Sequence, residues 1–558
     1  MPTISIDPQD FRELLGFDLA DDSLARQLDL VKGEFKGTDE DGQWRVELND
    51  TNRPDLWSAE GIARQMRSAR GRLRDYPFFT GESTGELRVD GSMREIRPFV
   101  AAFIARGVNV SERSLAQLIQ TQEKLAENFG AKRRDVAIGV YSAEKIRLPV
   151  TYTAVDKNEG KFVPLGFEEA MSPAEILERH PKGVEYRGIL AGFDRVPMLV
   201  DAEGLTLSMP PVINSRDLGE VQAGDADLFV EATGTDLNKV ILAMNIMACD
   251  LADRGGRIER LRTVYPYTTS LGETVDVPHR LDCGMRIPRS EFGRLLGVDV
   301  TAVELERMLE TYGCEVRIEE DVIHVQPAPT RFDYLHPVDV VEDFAITRGY
   351  ETFEPRMPQS FTTGRADRLS QLEDKARDVM VGLGYEEIIS NMLLAHEQLR
   401  GRMNQPDDLS LVEVSNVMNE NYSALRDSLL PCLLRVESRS ATAAYPHRLF
   451  EAGEVAIFDR EAPHGSHTRL FLASLLAHRE ANLSEAHADL EYLLHLLDVD
   501  WHLKEAENAS FLPGRVARIC VGDRDVGWLG ELHPEVLTRW EIGVPAAGFE
   551  LDLGATGL

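Results

Sequence analysis

Pro329-Thr330-Arg331-Phe332-Asp333-Tyr334-Leu335-His336-Pro337-Val338-Asp339-Val340-Val341-Glu342-Asp343 is the stretch on which the reading of this chain turns. Pro337 suits the first position of a helix, where its missing N–H costs nothing, and Gly349 suits the stop. On that helix Asp339, Glu342 and Asp343 fall at i, i+3 and i+4, so three carboxylates share one face. Asp333 lies in the preceding loop and can fold back toward them. Four hard oxygen ligands converging on one point suit Mg²⁺, which favours carboxylates and keeps several waters. A solvated acidic face is the plainer alternative in so acidic a chain.

Working outward, the stretch belongs to the second copy of an internal repeat. Phe11-Arg12-Glu13-Leu14-Leu15-Gly16 recurs as Phe292-Gly293-Arg294-Leu295-Leu296-Gly297. Each copy is followed by a short amphipathic helix pattern, Ser23–Leu30 and Val303–Tyr312, and then by a strand pattern, Trp44–Leu48 and Val322–Val325. Asn52-Arg53-Pro54-Asp55 and Thr330-Arg331-Phe332-Asp333 each open a further helix. The expected module is therefore helix, helix, strand, loop, helix. Ser58-Ala59-Glu60-Gly61-Ile62 in the first copy lacks the acidic face, so a metal is expected only in the second. Asn52, Arg53 and Asp55 read as residues that fix a turn and cap a helix.

The whole chain, 558 residues with 43% hydrophobic and 28% charged, has room for several domains with their own cores. No apolar run is long enough to span a bilayer and Met1–Leu15 has no signal-peptide layout, so a cytoplasmic protein without a membrane partner is expected. Cys249, Cys283, Cys314, Cys432 and Cys520 are scattered, with no C-x-x-C pair, and read as isolated thiols. The net charge is −33, and only 11 of the 61 basic residues are Lys. This acidic, Lys-poor composition resembles that of proteins from salt-loving archaea, in which near-molar salt screens carboxylate repulsion. Because the same screening weakens both repulsion and counterion release, the charge does not exclude an RNA partner.

The central segment mixes helix and strand patterns. Val110–Phe129 reads as a helix capped by Ser111, and Leu237–Ala252 as another, with Met244 and Met247 on its apolar side. Val136–Val140, Val150–Ala154, Tyr186–Ala191, Pro197–Val200, Leu205–Met209 and Leu228–Glu231 read as short strands. Glu231-Ala232-Thr233-Gly234-Thr235-Asp236 joins the last of these to a helix N-terminus, presenting hydroxyls and backbone N–H groups to any ester or anion nearby. Helix capping by Thr235 or Asp236 is its structural alternative. After a polar linker over Thr352–Arg365, Ser370–Gly384 reads as a helix. Leu449–Val455 and Gly548–Leu553 read as strands of one antiparallel sheet. No G-x-x-x-x-G-K-[ST], G-x-G-x-x-G or H-E-x-x-H occurs, and His464 and His467 sit in a solvated, Gly-containing loop.

R-F-D, an acid, an acidic pair on a short helix and a closing Gly349-Tyr350 resemble the metal-binding segment of the β subunit of phenylalanyl-tRNA synthetase. The resemblance extends over Asn49–Arg64, Arg187–Asp236, Thr330–Tyr350, Asn416–Leu434, Leu449–Val455, Pro513–Ala517 and Leu529–Pro534, and is closest to the short archaeal and eukaryotic form. It implies an α+β multidomain chain: a repeat module over 1–90, an editing domain of mixed α/β type over 91–268, a second module with the metal-binding acids over 269–352, and a class II synthetase-like antiparallel sheet domain over 353–558. It also implies an α partner in an (αβ)₂ heterotetramer, tRNA(Phe) as substrate, ATP consumed by the complex and Mg²⁺ bound by Asp333, Asp339, Glu342 and Asp343. No G-x-G-x-x-R lies between Ser370 and Leu558, so ligation chemistry is expected in the α chain. Ala424–Pro431 fits the family pattern as a packing element, with Cys432 where a small residue is usual.

The family's editing domain hydrolyses tyrosine wrongly attached to the tRNA. An apolar synthetic pocket rejects an isostere that adds a hydroxyl by only about 10²-fold, whereas a site built to hydrogen-bond the hydroxyl discriminates by about 10⁴–10⁵. The resemblance places Leu199 against the aromatic ring, with Ser208 and Asn214 on the hydroxyl, and Glu231 and Thr233 complete the expected pocket. His180 is the only histidine of the segment, so attack by water suits it better than a covalent nucleophile. A free-standing deacylase of mischarged tRNA and a non-enzymatic acidic scaffold are the rival readings. A copurifying chain with class II motifs separates them from the first.

Overall fold

A computed structural model describes residues 2–17, 19, 24–72, 75–108, 110–219, 221–407 and 410–557. Ser23, the expected start of the second helix, lies outside them. The chain divides into two compact units, Met1–Met357 and Pro358–Leu558. Among the described residues no helix is long and apolar enough to cross a membrane. All five cysteines are free, and four of them are buried.

Both repeat copies in the first unit form the same module. Helices Pro8–Leu15 and Arg289–Leu296 bury Phe11 and Phe292, and each stops at a glycine in the left-handed region, Gly16 at φ 66° and Gly297 at φ 68°. Shorter helices Leu24–Leu28 and Ala302–Thr311 follow. Each module then closes with a longer helix, Ala59–Ser68 or Pro337–Arg348. The expected single strand is in each case the middle of a three-stranded antiparallel sheet. Trp44–Leu48 lies between Thr3–Ile6 and Gly33–Thr38, and Val322–Gln326 between Met285–Pro288 and Glu315–Glu319. The module therefore has two more strands than the sequence reading gave it. The omitted edge strands are short, and Gly33–Thr38 is mostly exposed, so neither alternation nor apolar content marks it.

The segment between the modules builds a ten-stranded sheet. In order across it run Ile213–Asn214, Thr206–Met209, Arg195–Val200, Val150–Asp156, Ser83–Val89, Arg257–Thr269, Phe99–Arg106, Leu228–Gly234 and Val136–Ser142, while Gly272–Val277 pairs with Arg257–Thr269. The sheet therefore recruits chain on both sides of 91–268. Helix Leu237–Asp253, capped by Asp236 and lined by fully buried Val240, Met244 and Met247, packs on Phe99–Arg106 and Leu228–Gly234. The two end strands face each other: Tyr141 Oη on one lies 3.3 Å from Asn214 Oδ1 on the other, and Arg133 Nη1 donates to Val212 O at 3.2 Å.

One expected strand is a helix. Tyr186–Ala191 falls largely within helix Pro181–Leu190, which has Pro181 at its first position and His180 accepting from Lys182 N as its cap. Its glycine, Gly183, serves close packing: a Cβ there would stand 1.8 Å from Ile176 O of the preceding helix.

In the second unit, helix Arg368–Gly382 precedes a seven-stranded sheet in the order Glu386–Glu387, His447–Phe458, Ser466–Ala477, Ala546–Asp552, Arg524–Leu532, Phe511–Val521, His502–Glu505. All its pairings are antiparallel except that of Glu386–Glu387. Alternation along Ser466–Ala477 supplies both faces. Leu470 and Leu472 join the core under helices Arg368–Gly382 and Leu483–Leu496, while Ala473, Leu475 and Ala477 join the core under helix Leu430–Glu437.

Candidate functional site

Cross-strand register assembles one wall of a site. Tyr152 pairs with Leu199, Leu199 with Ser208 and Ser208 with Asn214, so four side chains stand in one row on one face of the central sheet. The opposite wall comes from the other end of the sheet, where Glu231 pairs with Gly139. Bending of the sheet joins the walls. Tyr141 Oη donates to Glu231 Oε1 at 2.9 Å and lies 3.3 Å from Asn214 Oδ1. Ser208, opposite Asn214 across the strand pair, keeps its buried Oγ without a hydrogen bond. Leu199, Ser208, Glu231, Thr233, Tyr141 and Tyr152 are buried, and Asn214 is half-buried.

The site is electrostatically unusual. Burial pushes the Glu231 carboxyl up to about 7, with the Tyr141 hydrogen bond and the Arg97 charge pulling the other way. Burial likewise holds the Tyr141 phenol well above its ordinary range. Arg97, itself buried, gives its hydrogen bonds to neutral acceptors: Thr233 Oγ1 at 2.9 Å, Thr233 O at 2.5 Å and Arg134 O at 2.7 Å. Glu231 Oε2, Ser208 Oγ and Tyr152 Oη are buried without hydrogen-bond partners. An unpaired carboxylate oxygen and two unpaired hydroxyls in an otherwise apolar setting favour a polar ligand that can pair with them.

The structure thus gathers Leu199, Ser208, Asn214 and Glu231, and ties Thr233 to Arg97. Asp236 is the helix cap, accepting from Lys239 N at 3.1 Å, and Thr235 N donates to Asp135 O at 3.1 Å. Sequence reasoning missed Tyr141, Tyr152, Arg97 and Gly139. A signal existed for one of them. Gly139 interrupts the apolar strand Val136–Ser142, and a glycine inside a strand marks a close approach. A Cβ there would stand 2.3 Å from Tyr141 Oη and 2.4 Å from Glu231 Oε1.

The four acids expected to hold Mg²⁺ do not converge. Among the described residues no group of three or more His, Cys, Asp or Glu side chains is placed to hold a metal. Asp333 and Asp343 are both ion-paired to Arg331, at 2.6 Å each, and Tyr334 Oη donates to Asp343. Asp339 Oδ2 accepts from Leu335 N at 2.7 Å and His336 N at 2.8 Å, closing the helix start as a capping box. Glu342 pairs with Lys32 at 2.7 Å. Each acid already has its donor, and Arg331 lies between Asp333 and Asp343. The repeat supplies the reason. Arg53 grips Asp55 through Nε and Nη2 at 2.8 and 2.9 Å, as Arg331 grips Asp333 at 2.9 and 2.6 Å, and both guanidiniums lie about 5.5 Å from the Tyr312 ring. R-x-D is a structural fork of the module, present in both copies.

In the second unit Arg426, from the Ala424–Pro431 stretch, is buried and bonded to Glu451 Oε1 at 2.6 Å, Ser390 Oγ at 2.7 Å and Glu454 O at 2.9 Å. A cavity of about 280 Å³ in this unit is lined by charges that already pair with each other, Arg400 with Asp427 and Arg469 with Asp552. His467 pairs with Asp459 at 2.9 Å at an exposed position.

Residues 354–553 match the family model for the phenylalanyl tRNA synthetase beta chain CLM domain, and residues 285–350 match that for the tRNA synthetase B5 domain. The chain is 38% identical to the phenylalanine–tRNA ligase beta subunit of Treponema pallidum, with 100% of both chains covered. It is 37% identical to the subunit of the same name from Borreliella burgdorferi, with 99% of each covered. The crystal structure of an N-terminal fragment of the phenylalanyl-tRNA synthetase beta-subunit from Pyrococcus horikoshii superposes with a TM-score of 0.59 at 36% identity, covering 62% of this chain and 100% of the fragment. The two relatives matched end to end are bacterial, so the short form does not mark an archaeal or eukaryotic chain, and they lend no support to a halophilic origin. Two family models and identity across the entire length lead to one conclusion: the chain belongs to the phenylalanine–tRNA ligase beta subunit family.

Proposed function

We propose that this chain works with an α subunit in an (αβ)₂ phenylalanine–tRNA ligase and that its central sheet hydrolyses tyrosine misattached to tRNA(Phe). As a family member it is the β subunit of a ligase, EC 6.1.1.20. The observation that carries the editing reading is the convergence of Asn214 and Glu231 on one phenolic hydroxyl, with Ser208 beside Asn214 across the strand pair. Leu199 supplies the apolar contact, and Glu231 Oε2 is the acceptor for the substrate's hydroxyl. The second unit serves as a class II-like body whose arginines hold its own fold, so ATP and phenylalanine are handled by the α chain. The four acids are committed to protein donors and do not form a Mg²⁺ site in this arrangement. A free-standing deacylase is disfavoured by the match of residues 354–553, an entire domain that such an enzyme would not use.

The test is deacylation of pre-formed Tyr-tRNA(Phe) by the α–β complex carrying Asn214→Trp or Ser208→Phe. Ligation of phenylalanine is expected to stay near wild type while tyrosine hydrolysis falls by at least the roughly 2- to 12-fold that one lost neutral hydrogen bond is worth. Equal hydrolysis by wild type and both variants would move the site elsewhere. A matching loss of ligation would mean the fold was damaged.

A further inference from the structure

The groups expected to read a substrate's phenol are engaged by the chain's own. We propose that Tyr141 is an internal stand-in for the substrate side chain: it fills the hydroxyl-reading end of the central pocket and must be displaced before an aminoacyl group can be read there. The inference rests on the editing reading and adds a gate to it.

Three observations carry it. First, Tyr141 Oη meets Glu231 Oε1 at 2.9 Å and Asn214 Oδ1 at 3.3 Å, so a phenol is already held from both ends of the sheet. Second, its position is built. Tyr141 lies two residues beyond Gly139 on the same strand face, and its hydroxyl stands where a Cβ at 139 would intrude, so only glycine lets it lie there. Third, the surrounding hydrogen-bonding capacity exceeds what Tyr141 uses. Glu231 Oε2 and Ser208 Oγ remain buried and unpaired, an arrangement a fully satisfied core avoids. A side chain present only for packing would leave no such surplus.

The gate has a definite thermodynamic signature. Displacing Tyr141 costs the same whichever aminoacyl group enters, so it scales every apparent affinity by the fraction of open pocket. Discrimination is set afterwards: tyrosine remakes the bonds to Glu231 and Asn214, and phenylalanine leaves them unmade. Tyr141 thus governs how closed the site is, while Glu231 and Asn214 govern what it prefers.

The deciding experiment compares Tyr141→Phe with wild type in the α–β complex, measuring KM and kcat for hydrolysis of both Tyr-tRNA(Phe) and Phe-tRNA(Phe). Removing the internal hydroxyl should lower KM for both substrates by the same factor, on the order of tenfold, with kcat and the ratio of the two kcat/KM values preserved. Tyr141→Leu should act in the same direction, and urea unfolding of both variants checks that they fold. A drop in tyrosine hydrolysis by Tyr141→Phe would instead make Tyr141 a support for Glu231, and unchanged kinetics would make it packing. Either result overturns the gate while leaving the editing reading intact. If wild type does not hydrolyse Tyr-tRNA(Phe), both fall together.

Discussion

Glu231 is a carboxyl held in a place that disfavours its charge. Burial raises it from the ordinary 4.5 to about 7, and the Tyr141 hydrogen bond offsets only part of that. The sign of the consequence is fixed by linkage. Between about pH 4.5 and 7 the unfolded chain has released this proton and the folded chain has kept it, so stability is lost as pH rises through that window. The full difference is on the order of 3 kcal/mol. Glu231→Gln keeps an acceptor for Tyr141 and removes the ionisation. The variant should therefore be more stable than wild type at pH 8 by about 1–3 kcal/mol and near parity at pH 4.5. Urea unfolding at the two values measures this; curves that run parallel would show that Glu231 titrates as it does in the unfolded chain. Arg331 teaches the converse lesson. It stands in plain view in the R-F-D stretch, yet the acids around it were read as ligands for an ion, because sequence spacing places carboxylates on a helix face without saying which cation they face. The structure supplies a guanidinium 2.6 Å from both Asp333 and Asp343.

Among the elements, helix Pro337–Arg348 tests cap against ligand most directly. Asp339 is its third residue and accepts from two backbone N–H groups that would otherwise lack partners. Asp339→Ala should cost about 1 kcal/mol of stability, whereas Asp339→Asn, which keeps an oxygen acceptor, should cost a few tenths. Neither difference should respond to EDTA. A metal ligand would behave otherwise: Asn would cost nearly as much as Ala, and chelation would abolish the gap between wild type and both variants. The helix was legible because proline and glycine mark its ends chemically, and the same holds for the Ser111 and Asp236 caps, both of which bond as expected. What failed to read were elements whose sequence signal is shared with another state. Phe99–Arg106 is apolar up to its final arginine, a pattern common to buried strands and buried helices. Tyr186–Ala191 carries strand-forming residues, but Pro181 and the His180 cap upstream had already started a helix. Likewise Leu199, Ser208 and Asn214 could be named from resemblance. Their meeting with Glu231 and Tyr141 could not, since it depends on how far a ten-stranded sheet bends.

For the whole molecule, the composition separates into two populations of charge. Arginine is abundant partly because it works inside: Arg53, Arg331, Arg400 and Arg426 are buried and paired with carboxylates. Such forks exploit the planar, weakly hydrated guanidinium, and lysine could not replace it there. The shortage of lysine is a property of the surface, where the net charge of −33 goes largely uncompensated. These populations should respond differently to salt. Buried pairs are screened little, while repulsion among exposed carboxylates falls as the Debye length shrinks from about 10 Å at 0.1 M to about 3 Å at 1 M. Because like charges about 10 Å apart in water each contribute roughly 0.4 kcal/mol, many such pairs acting together should make the chain at least about 1 kcal/mol more stable in 1 M than in 0.05 M KCl. Most of the gain should arrive below about 0.3 M, where screening changes fastest and general salting-out is weak. Urea unfolding midpoints across a KCl series measure it. A flat or falling series would mean that the exposed acids are already neutralised by the surface arginines around them, and the acidic composition would then need a basic partner rather than salt to explain it.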